Sequence, residues 1–415
     1  MKIAIIGSGI SGLTSAYLLN RRHDITVFEA GDWIGGHTHT VDVEVEGRSY
    51  AVDTGFIVFN DWTYPNFIRL LTQIGVDFKP AEMSFSVSDA VSGVEYNGHN
   101  LNTLFAQRRN LLSPAFIGMV RDILRFNREA LEDLNNNRIA TSTTLGDYLR
   151  LCGYGDRFID HYIVPMGAAI WSMSLADMLD FPLQFFVRFF KNHGLLSVSD
   201  RPQWCVVEGG SRSYIAPLTA SFSDRIRLNC PVHRVERDAT GVTLHSPAGS
   251  ERFDKVVFAC HSDQALAMLA QPSASEHDIL GALPYADNDV VLHTDSSLLP
   301  QRRLAWASWN YRLGHTQAQA AAVTYNMNIL QGIASDTTFC VSLNQTDSID
   351  PQRILARYTY AHPQYSLAGM AAQARWEELA GANHSYFCGA YWANGFHEDG
   401  VVSALRVARA FGEAL

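Results

Sequence analysis

The stretch that most constrains the fold is "KIAIIGSGISGL", residues 2–13. A continuous apolar run that ends at a glycine is typical of a buried strand, and helical spacing of apolar residues follows it. Gly7 permits a tight turn, Gly9 lets a ligand pyrophosphate approach the backbone, and Gly12 lets the helix pack close to the strand. A second buried strand ends at Glu29, which is placed to accept hydrogen bonds from a ribose. The sequence therefore predicts a dinucleotide-binding βαβ unit.

A second pair of glycines favours one kind of dinucleotide over another. Gly35 and Gly36 follow Glu29 in "EAGDWIGGHTHT", a spacing for which an NAD site has no use. A second glycine turn there could close over the pyrophosphate of a buried, extended FAD, and a plain surface turn is the alternative. His37 and His39 would share one face of a strand, but no third metal ligand stands out nearby. The sequence therefore predicts no metal site.

Motifs along most of the chain resemble those of the flavin-dependent amine oxidase and phytoene desaturase superfamily. "VVEGGSRSYIAPL" is similar to its central glycine pair, and "VVFAC" to its strand that returns beside the cofactor. Within it the chain is most similar to a bacterial group known as "predicted NAD/FAD-binding protein". The shared markers are "GGHTHT", "VDTGFIVFN", "PMGAAIWSM", "NHGLL", "GGSRSY", "ASWNY" and "GFHEDG". Members of that group are often encoded near cyclopropane-fatty-acid-synthase-like methyltransferases, which implies acyl-lipid chemistry.

The resemblance implies an α/β fold with a Rossmann-like, glutathione-reductase-type FAD domain and an inserted α+β substrate domain. Strand-rich, glycine-punctuated segments assign residues 1–60, 200–285 and 380–415 to the FAD domain. Residues 61–199 and 286–379 would form the substrate domain. Apolar residues at helical spacing predict helices in the first insert, and alternating patterns predict strands in the second.

The resemblance implies FAD bound without a covalent link. Its cofactor-binding residues map onto Gly7, Gly9, Ser11, Gly12, Glu29, Ala30, Gly35, Gly36, His37, Thr38, Gly55, Val232, Ala259, Gly389, Gly400 and Val401. His37 stands where the superfamily usually has an arginine. The last helix, predicted to begin at Gly400, would turn its first amides toward the flavin and favour negative charge on the reduced ring.

The reactive centre would then be the flavin, because no nucleophile triad, P-loop or zinc cluster stands out. The favoured function is a dehydrogenase or desaturase that transfers hydride from a hydrophobic, fatty-acyl or lipid substrate to flavin N5. An amine oxidase, a flavin-dependent isomerase and a non-catalytic flavoprotein subunit or lipid-binding scaffold are the alternatives. Many amine oxidases carry a flavin-bridging lysine where this chain has "LPYADNDVVLH". The candidate catalytic residues are Tyr391, Trp392, His397 and Glu398, the last two as proton acceptors.

Aromatic residues suggest where an apolar substrate would bind. The candidates are Trp171, Phe186, Phe190, Trp309 and Tyr311. Phe186 and Phe190 belong to "DFPLQFFVRFFKNHGLL", which reads as a helix apolar nearly all round. Such a helix is buried, or else it lines a substrate mouth or contacts a membrane.

The net charge of −10 disfavours nucleic-acid binding and electrostatic docking on an anionic membrane. Six scattered cysteines without a C-x-x-C pair are typical of buried thiols in a reducing compartment. The apolar start is similar to a signal peptide, but its glycine spacing favours the strand. The sequence thus predicts a cytoplasmic protein, and it leaves open a homodimer and peripheral contact with the inner face of the membrane.

Overall fold

The computed structural model describes residues 1–314 and 321–415. The strands of these residues are β1 (Lys2–Ile6), β2 (Asp24–Phe28), β3 (Thr40–Val45), β4 (Arg48–Asp53), β5 (Val58–Asn60), β6 (Phe78–Pro80), β7 (Phe85–Asp89), β8 (Val94–Asn97), β9 (Trp204–Val207), β10 (Ile226–Arg227), β11 (Arg234–Asp238), β12 (Gly241–Ser246), β13 (Gly249–Phe253), β14 (Lys255–Phe258), β15 (Tyr285–His293), β16 (Trp309–Leu313), β17 (Val323–Asn326), β18 (Cys340–Leu343), β19 (Ile354–Pro363) and β20 (Ser385–Phe387). The α-helices are α1 (Ile10–Leu19), α2 (Pro65–Gln73), α3 (Leu101–Leu104), α4 (Pro114–Asn135), α5 (Leu145–Leu151), α6 (Asp156–Phe158), α7 (Val164–Trp171), α8 (Leu175–Leu179), α9 (Leu183–Asn192), α10 (Ile215–Thr219), α11 (Ser262–Met268), α12 (Ala274–Gly281), α13 (Met327–Leu330), α14 (Leu367–Gln373) and α15 (His397–Ala410).

A five-stranded parallel sheet has the order β10-β2-β1-β14-β20. Separate clusters of buried side chains cover the two faces of this sheet. Its central strands therefore carry apolar residues on both sides, as is usual for parallel sheets. Ile5 on β1, for example, lies level with Val27 on β2 and Val257 on β14. The strands predicted on either side of the first glycine loop are confirmed.

A seven-stranded sheet has the order β19-β15-β18-β17-β16-β7-β8 and is antiparallel except where β16 meets β7. The strands predicted in the second insert are confirmed. The expectation that the first insert is helical was incomplete, because β7 and β8 form a hairpin within it. These strands have only five and four residues, so their alternation is too short to stand out. The division into a cofactor and a substrate domain remains an interpretation.

Helices α2, α4, α5 and α9 occupy the stretches in which the apolar spacing predicted helices. On α9, Phe186 and Phe190 are fully buried and stack with ring centroids 4.1 Å apart. Arg188 and Lys191 are exposed on the other side. Of the alternatives that the sequence left open for this helix, burial is the one found for these two phenylalanines.

Among the described residues, no helix combines the length and the apolar character needed to cross a bilayer.

Candidate active site

A cavity of about 880 Å³ lies between the carboxyl ends of the parallel strands and the seven-stranded sheet. The cofactor candidates that line it are Gly7, Gly9, Ser11, Glu29, Ala30, Gly35, Gly36, His37, Gly55, Val232, Ala259 and Gly389. The other candidates that line it are Tyr391, His397, Trp171 and Trp309. Those that lie outside its wall are Gly12, Thr38, Gly400, Val401, Trp392, Glu398, Phe186, Phe190 and Tyr311. The ends of parallel strands are where α/β sheets bind their ligands.

The first glycine loop has two crowded positions and one open position. Gly7 has φ +103°, and a Cβ added there would lie 2.8 Å from the carbonyl oxygen of Ala259. A Cβ added at Gly12 would lie 2.0 Å from the carbonyl oxygen of Gly7. At Gly9, which precedes α1, an added Cβ would meet nothing within 4 Å. The loop therefore leaves space above the start of α1, where backbone N–H groups attract a phosphate.

The second glycine pair lies directly on this loop. Gly35 makes a parallel backbone bridge to Gly9. Gly36 has φ +60°, and a Cβ added there would lie 3.1 Å from the Cα of Gly9. Glu29 lies at the same end of the cavity, where its carboxylate accepts hydrogen bonds from the backbone N–H groups of Ser8 and Gly31, each at 2.8 Å. The second turn thus packs on the first, as the FAD interpretation requires.

The last helix begins earlier than predicted. α15 starts at His397, and the amide of Gly400 donates to the carbonyl of Phe396 at 3.1 Å. The amides of Gly400 and Val401 are therefore inside the helix and do not face a flavin, so that expectation was wrong. Asp399 accepts a hydrogen bond from the Phe396 N–H at 2.9 Å and caps the helix. Gly400 serves a packing role, because a Cβ there would lie 2.8 Å from Ile10 Cγ2 on α1.

His397 lines the cavity at the start of α15. Its Nε2 lies 3.0 Å from Thr38 Oγ1 and 3.1 Å from Tyr214 Oη, and its ring stacks on Phe56 with centroids 3.5 Å apart. Burial lowers the pKa of His397 well below its ordinary value, so the ring is neutral at physiological pH. Thr38 therefore holds His397 in place from behind the cavity wall. The geometry favours a positioning role for the neutral ring, because such a low pKa makes it a weak proton acceptor.

Glu398 and Trp392 were predicted to act on the substrate, but the structure turns both away from the cavity. The Glu398 carboxylate accepts hydrogen bonds from the N–H groups of Asn66 and Phe67 at 3.1 and 2.8 Å and so caps α2. Trp392 donates its indole N–H to the carbonyl of Phe387 at 3.1 Å and packs in the core. Neither side chain is placed to contact a substrate.

Some of the remaining pocket candidates line the cavity, and the others pack behind the residues that line it. Trp171 and Trp309 belong to the cavity wall, whereas Tyr311 is buried behind it. Phe186 lies against Trp171 with ring centroids 5.8 Å apart, and Phe190 stacks behind Phe186. The two phenylalanines therefore support the wall and do not form a tunnel.

A cluster of cavity-lining side chains on β19 and nearby segments was not predicted from the sequence. Tyr360, His362, His261 and Tyr285 all line the cavity, and the rings of His261 and Tyr285 stack with centroids 4.1 Å apart. The alternation in "RYTYAHP" could have placed Tyr360 and His362 on one face of a strand. His261 and Tyr285 have no local signal of this kind, because the turn after β14 and strand β15 bring them there.

Three of the cavity histidines lie close together. The ring centroids of His37 and His261 are 6.0 Å apart, and those of His37 and His362 are 5.6 Å apart. Burial and the neighbouring histidines lower the pKa of His37 and His261 to about 4 and that of His362 to about 3. No lysine or arginine lines the described part of the cavity. Positive charge near a bound anion would therefore have to come from these rings or from backbone N–H groups.

His39, the other histidine considered as a metal ligand, stacks on Trp33 with centroids 4.5 Å apart, and its Nδ1 lies 2.8 Å from Tyr360 Oη. Residues 1–314 and 321–415 contain no group of three or more His, Cys, Asp or Glu side chains arranged to hold a metal ion.

Besides its glycines, the cavity wall contains buried polar atoms that have no hydrogen-bond partner in the protein, and a dinucleotide could supply partners for them. Buried polar atoms are normally hydrogen-bonded. Five buried polar atoms without a protein partner belong to cavity-lining residues, and they are His37 Nε2, Trp171 Nε1, Trp309 Nε1, Tyr365 Oη and Tyr391 Oη. Together with the open space at Gly9, these atoms indicate that a large polar and aromatic ligand completes the site.

Residues 10–324 match the family of flavin-containing amine oxidoreductases, which is more than half of the chain. The chain belongs to this family. Its cofactor is therefore FAD, and its α/β fold is the one the glycine motifs predicted.

Two curated relatives differ in how much of the chain they match. A Mycobacterium tuberculosis protein assigned as the flavin-containing monoamine oxidase AofH is 24% identical over 286 residues, or 65% of this chain. The matched part is 59% of that relative's length. The zeta-carotene desaturase of Solanum lycopersicum is 33% identical over 78 residues, which cover 19% of this chain and 13% of the desaturase.

Solved structures of other proteins share the fold over nearly the whole chain. Cyclohexylamine oxidase from Brevibacterium oxydans superposes with a TM-score of 0.68 at 17% identity, and 99% of this chain and 98% of the oxidase are covered. A fatty acid isomerase from P. acnes superposes with a TM-score of 0.67 at 14% identity and the same coverage. At these identities the likeness shows the fold alone.

We expect FAD to bind more tightly at lower pH, because its pyrophosphate would favour protonation of the His37 cluster. Binding would then take up a proton, so the dissociation constant should rise as pH increases from 6 to 8.5, by at most about tenfold per unit for one proton. His37→Arg should remove most of this dependence. The fraction of FAD that passes the membrane during ultrafiltration of the holoprotein measures the dissociation constant at each pH. His277→Gln is the control, because His277 is exposed. An equal FAD affinity at pH 6 and pH 8.5 would contradict the expectation.

Proposed function

We propose that this flavoprotein is a dehydrogenase or desaturase that oxidises a hydrophobic, acyl-type substrate. The observation that carries the proposal is the apolar end of the cavity. It is formed by Ile57, Val58, Ile170, Trp171, Trp309, Tyr325 and Leu330. None of these side chains is charged, so this end offers burial to a hydrocarbon chain and no carboxylate to an ammonium group.

The polar atoms at this end also favour an acyl substrate over an amine. The indole N–H groups of Trp171 and Trp309 are buried without partners, and an indole N–H is a donor that cannot accept. A carbonyl or carboxyl oxygen could accept from such a group, whereas an ammonium could not. The fatty acid isomerase and the carotene desaturase among the similar proteins are named for hydrophobic molecules. Amine oxidation is the second candidate function, because other similar proteins are named amine oxidases.

Bound FAD would supply the acceptor for the hydride, which carries both electrons of the broken C–H bond, and the second hydrogen would leave the substrate as a proton to solvent. The chain would contribute binding and orientation. Gly9 and the start of α1 would hold the pyrophosphate, and Glu29 would bind the ribose. Trp171 is fixed by Phe181 and Phe189, whose ring centroids lie 4.5 and 4.8 Å away. A rigid aromatic wall of this kind would fix the register of a hydrocarbon chain and exclude water.

The test is anaerobic mixing of the oxidised holoprotein with unsaturated fatty acids, their saturated counterparts and alkylamines, followed by flavin absorbance. We expect the unsaturated acids to bleach the flavin, because a double bond delocalises the charge that develops when hydride leaves. Bleaching by alkylamines alone would overturn the proposal in favour of amine oxidation. Conversion of the acid to an isomer without net bleaching would indicate an isomerase, and bound acid without any reaction would indicate a scaffold.

A matched pair of variants tests the wall itself. Trp171→Phe keeps the aromatic packing but removes the indole N–H, so half-maximal flavin reduction should need several times more substrate. Trp376→Phe serves as the control, because Trp376 does not line the cavity. Equal substrate dependence of the two variants would remove Trp171 from the binding site.

A further inference from the structure

One exposed surface of the helical insert combines large aliphatic side chains with arginines. We name it the α4 surface and define it as Arg108, Arg109, Leu111, Leu112, Ile117, Arg121, Leu124 and Arg128. The turn before α4 exposes 52% of Leu111 and 88% of Leu112, and α4 itself exposes 44% of Ile117 and 54% of Leu124. Such a group of exposed large aliphatic side chains marks an interaction site more often than it marks free surface.

The charge of this segment is opposite to that of the chain. Residues 101–128 contain five arginines and one acidic residue, which gives 5 − 1 = +4, whereas the whole chain has a net charge of −10. The acidic residue is Asp122, which is buried and accepts a hydrogen bond from the Gly155 N–H at 3.0 Å. The exposed side of residues 101–128 is therefore positive. The carboxylate that follows it, Glu129, lies 3.5 Å from the guanidinium of Arg128 and compensates that one arginine.

Three of the arginines have no ionic partner in the part of the chain that the structure describes. Arg108 and Arg109 donate to neutral acceptors, among them the carbonyl oxygens of Phe105 and Gly93 at 2.8 and 2.7 Å. Arg121 forms no salt bridge among those found, in contrast to Arg125, which lies 3.5 Å from Asp122. Their positive charge is uncompensated within the described chain.

The apolar and positive residues also alternate along one line. Ile117, Arg121, Leu124 and Arg128 follow spacings of four, three and four residues, which place them on the same face of α4. A partner for this face must accept aliphatic side chains and guanidinium groups together. An anionic bilayer does so, because leucines enter the headgroup boundary while arginines bind lipid phosphates.

We propose that the α4 surface docks the protein on an anionic lipid bilayer. The surface lies outside the cavity, so docking does not depend on the proposed reaction. Ring contacts nevertheless link the two regions. Phe126 on α4 meets Phe186 with centroids 6.4 Å apart, and Phe186 meets Trp171 at 5.8 Å. The surface therefore lies on the side of the molecule that carries the apolar wall.

The experiment is flotation of the full-length holoprotein with vesicles of phosphatidylcholine alone or with 30% phosphatidylglycerol. We expect binding to the anionic vesicles, weakened by 0.5 M NaCl because salt screens exposed charges. Leu111→Ser with Leu112→Ser should weaken binding at least about tenfold, since two aliphatic side chains would lose their burial. Arg109→Gln with Arg121→Gln should weaken it about 25-fold, since each arginine near such a surface contributes about fivefold.

Matched controls lie outside the surface. Leu367→Ser changes another exposed leucine, and Arg69→Gln changes another exposed arginine without a salt bridge among the described residues. All variants should keep the flavin absorbance and melting temperature of the wild type. Absence of binding to anionic vesicles, or equal binding by the α4 variants, would overturn the proposal. A dimer that the leucine double variant converts to monomer, without vesicle binding, would instead identify an interface between copies of this chain.

Discussion

Replacing Gly9 with leucine should leave a folded protein that no longer retains FAD. A Cβ at Gly9 would meet no protein atom within 4 Å, so the larger side chain would enter the space proposed for the pyrophosphate. Overpacking of a fitted site costs up to about 3 kcal/mol, which corresponds to a loss of affinity on the order of 100-fold. Absorbance at flavin wavelengths after purification measures whether FAD is retained. Circular dichroism of the same sample measures whether the variant is folded.

Gly12→Ala is the informative comparison for that variant. Its added Cβ would lie 2.0 Å from the carbonyl oxygen of Gly7, so it should destabilise the fold itself. If the Gly9 variant kept FAD with wild-type affinity, the assignment of this loop to the pyrophosphate would be wrong.

Lowering the pH from 7 to 5 should steeply destabilise the protein without bound FAD. Burial lowers the pKa of His193 and His293 to about 4, and the four cavity histidines shift in the same direction. A histidine with a lowered pKa is neutral in the folded state while the unfolded chain takes up a proton below pH 6.5. Each such shift therefore removes on the order of 3 kcal/mol as pH falls from about 6.5 to about 4.

Three buried carboxylates act in the opposite direction but are outnumbered. Burial raises the pKa of Asp53 and of Asp399 to about 6 and also raises the pKa of Glu398, so the folded state takes up protons there as the pH falls and gains stability. Six histidines against three carboxylates leave a net loss.

Urea unfolding at several pH values measures this dependence. His293→Gln should flatten the slope by about one proton, because His293 lies outside the cavity wall and its response does not depend on FAD. A free energy of unfolding that stays constant between pH 7 and pH 5 would refute the expectation.

The parts of the site that could be predicted from the sequence are those with a local geometric requirement. Gly7 must adopt a positive φ and Gly12 must admit a close backbone contact, so their spacing alone located the loop. The sequence predicted that α15 begins at Gly400, three residues too late. Asp399 is instead the third residue of the helix, and its carboxylate caps the helix by accepting from the Phe396 N–H. Glu398 shows a further limit, since only the tertiary fold reveals that its carboxylate caps α2.

Residues brought together by topology had no comparable signal. His261 and His362 come from segments distant from His37, and no local pattern places either of them beside it. The Phe-rich stretch left burial, a substrate mouth and a membrane contact open, and only the tertiary structure shows that Phe186 and Phe190 are buried. The exposed aliphatic residues lie before and on α4, among arginines that the overall negative charge concealed.

The strand order of the parallel sheet has a consequence for biosynthesis. β1 pairs with β2 and β14, and β14 pairs with β20, so neighbours in the sheet are separated by up to about three-fifths of the chain. Long-range pairing of this kind slows folding, because distant segments must meet before any contact stabilises them. A nascent chain that has emerged only as far as β14 still lacks β20 and α15, and with them the wall formed by Gly389, Tyr391 and His397. FAD should therefore be captured late, after translation has delivered β20 and α15, and until then the apolar edge of β14 would depend on chaperones for protection.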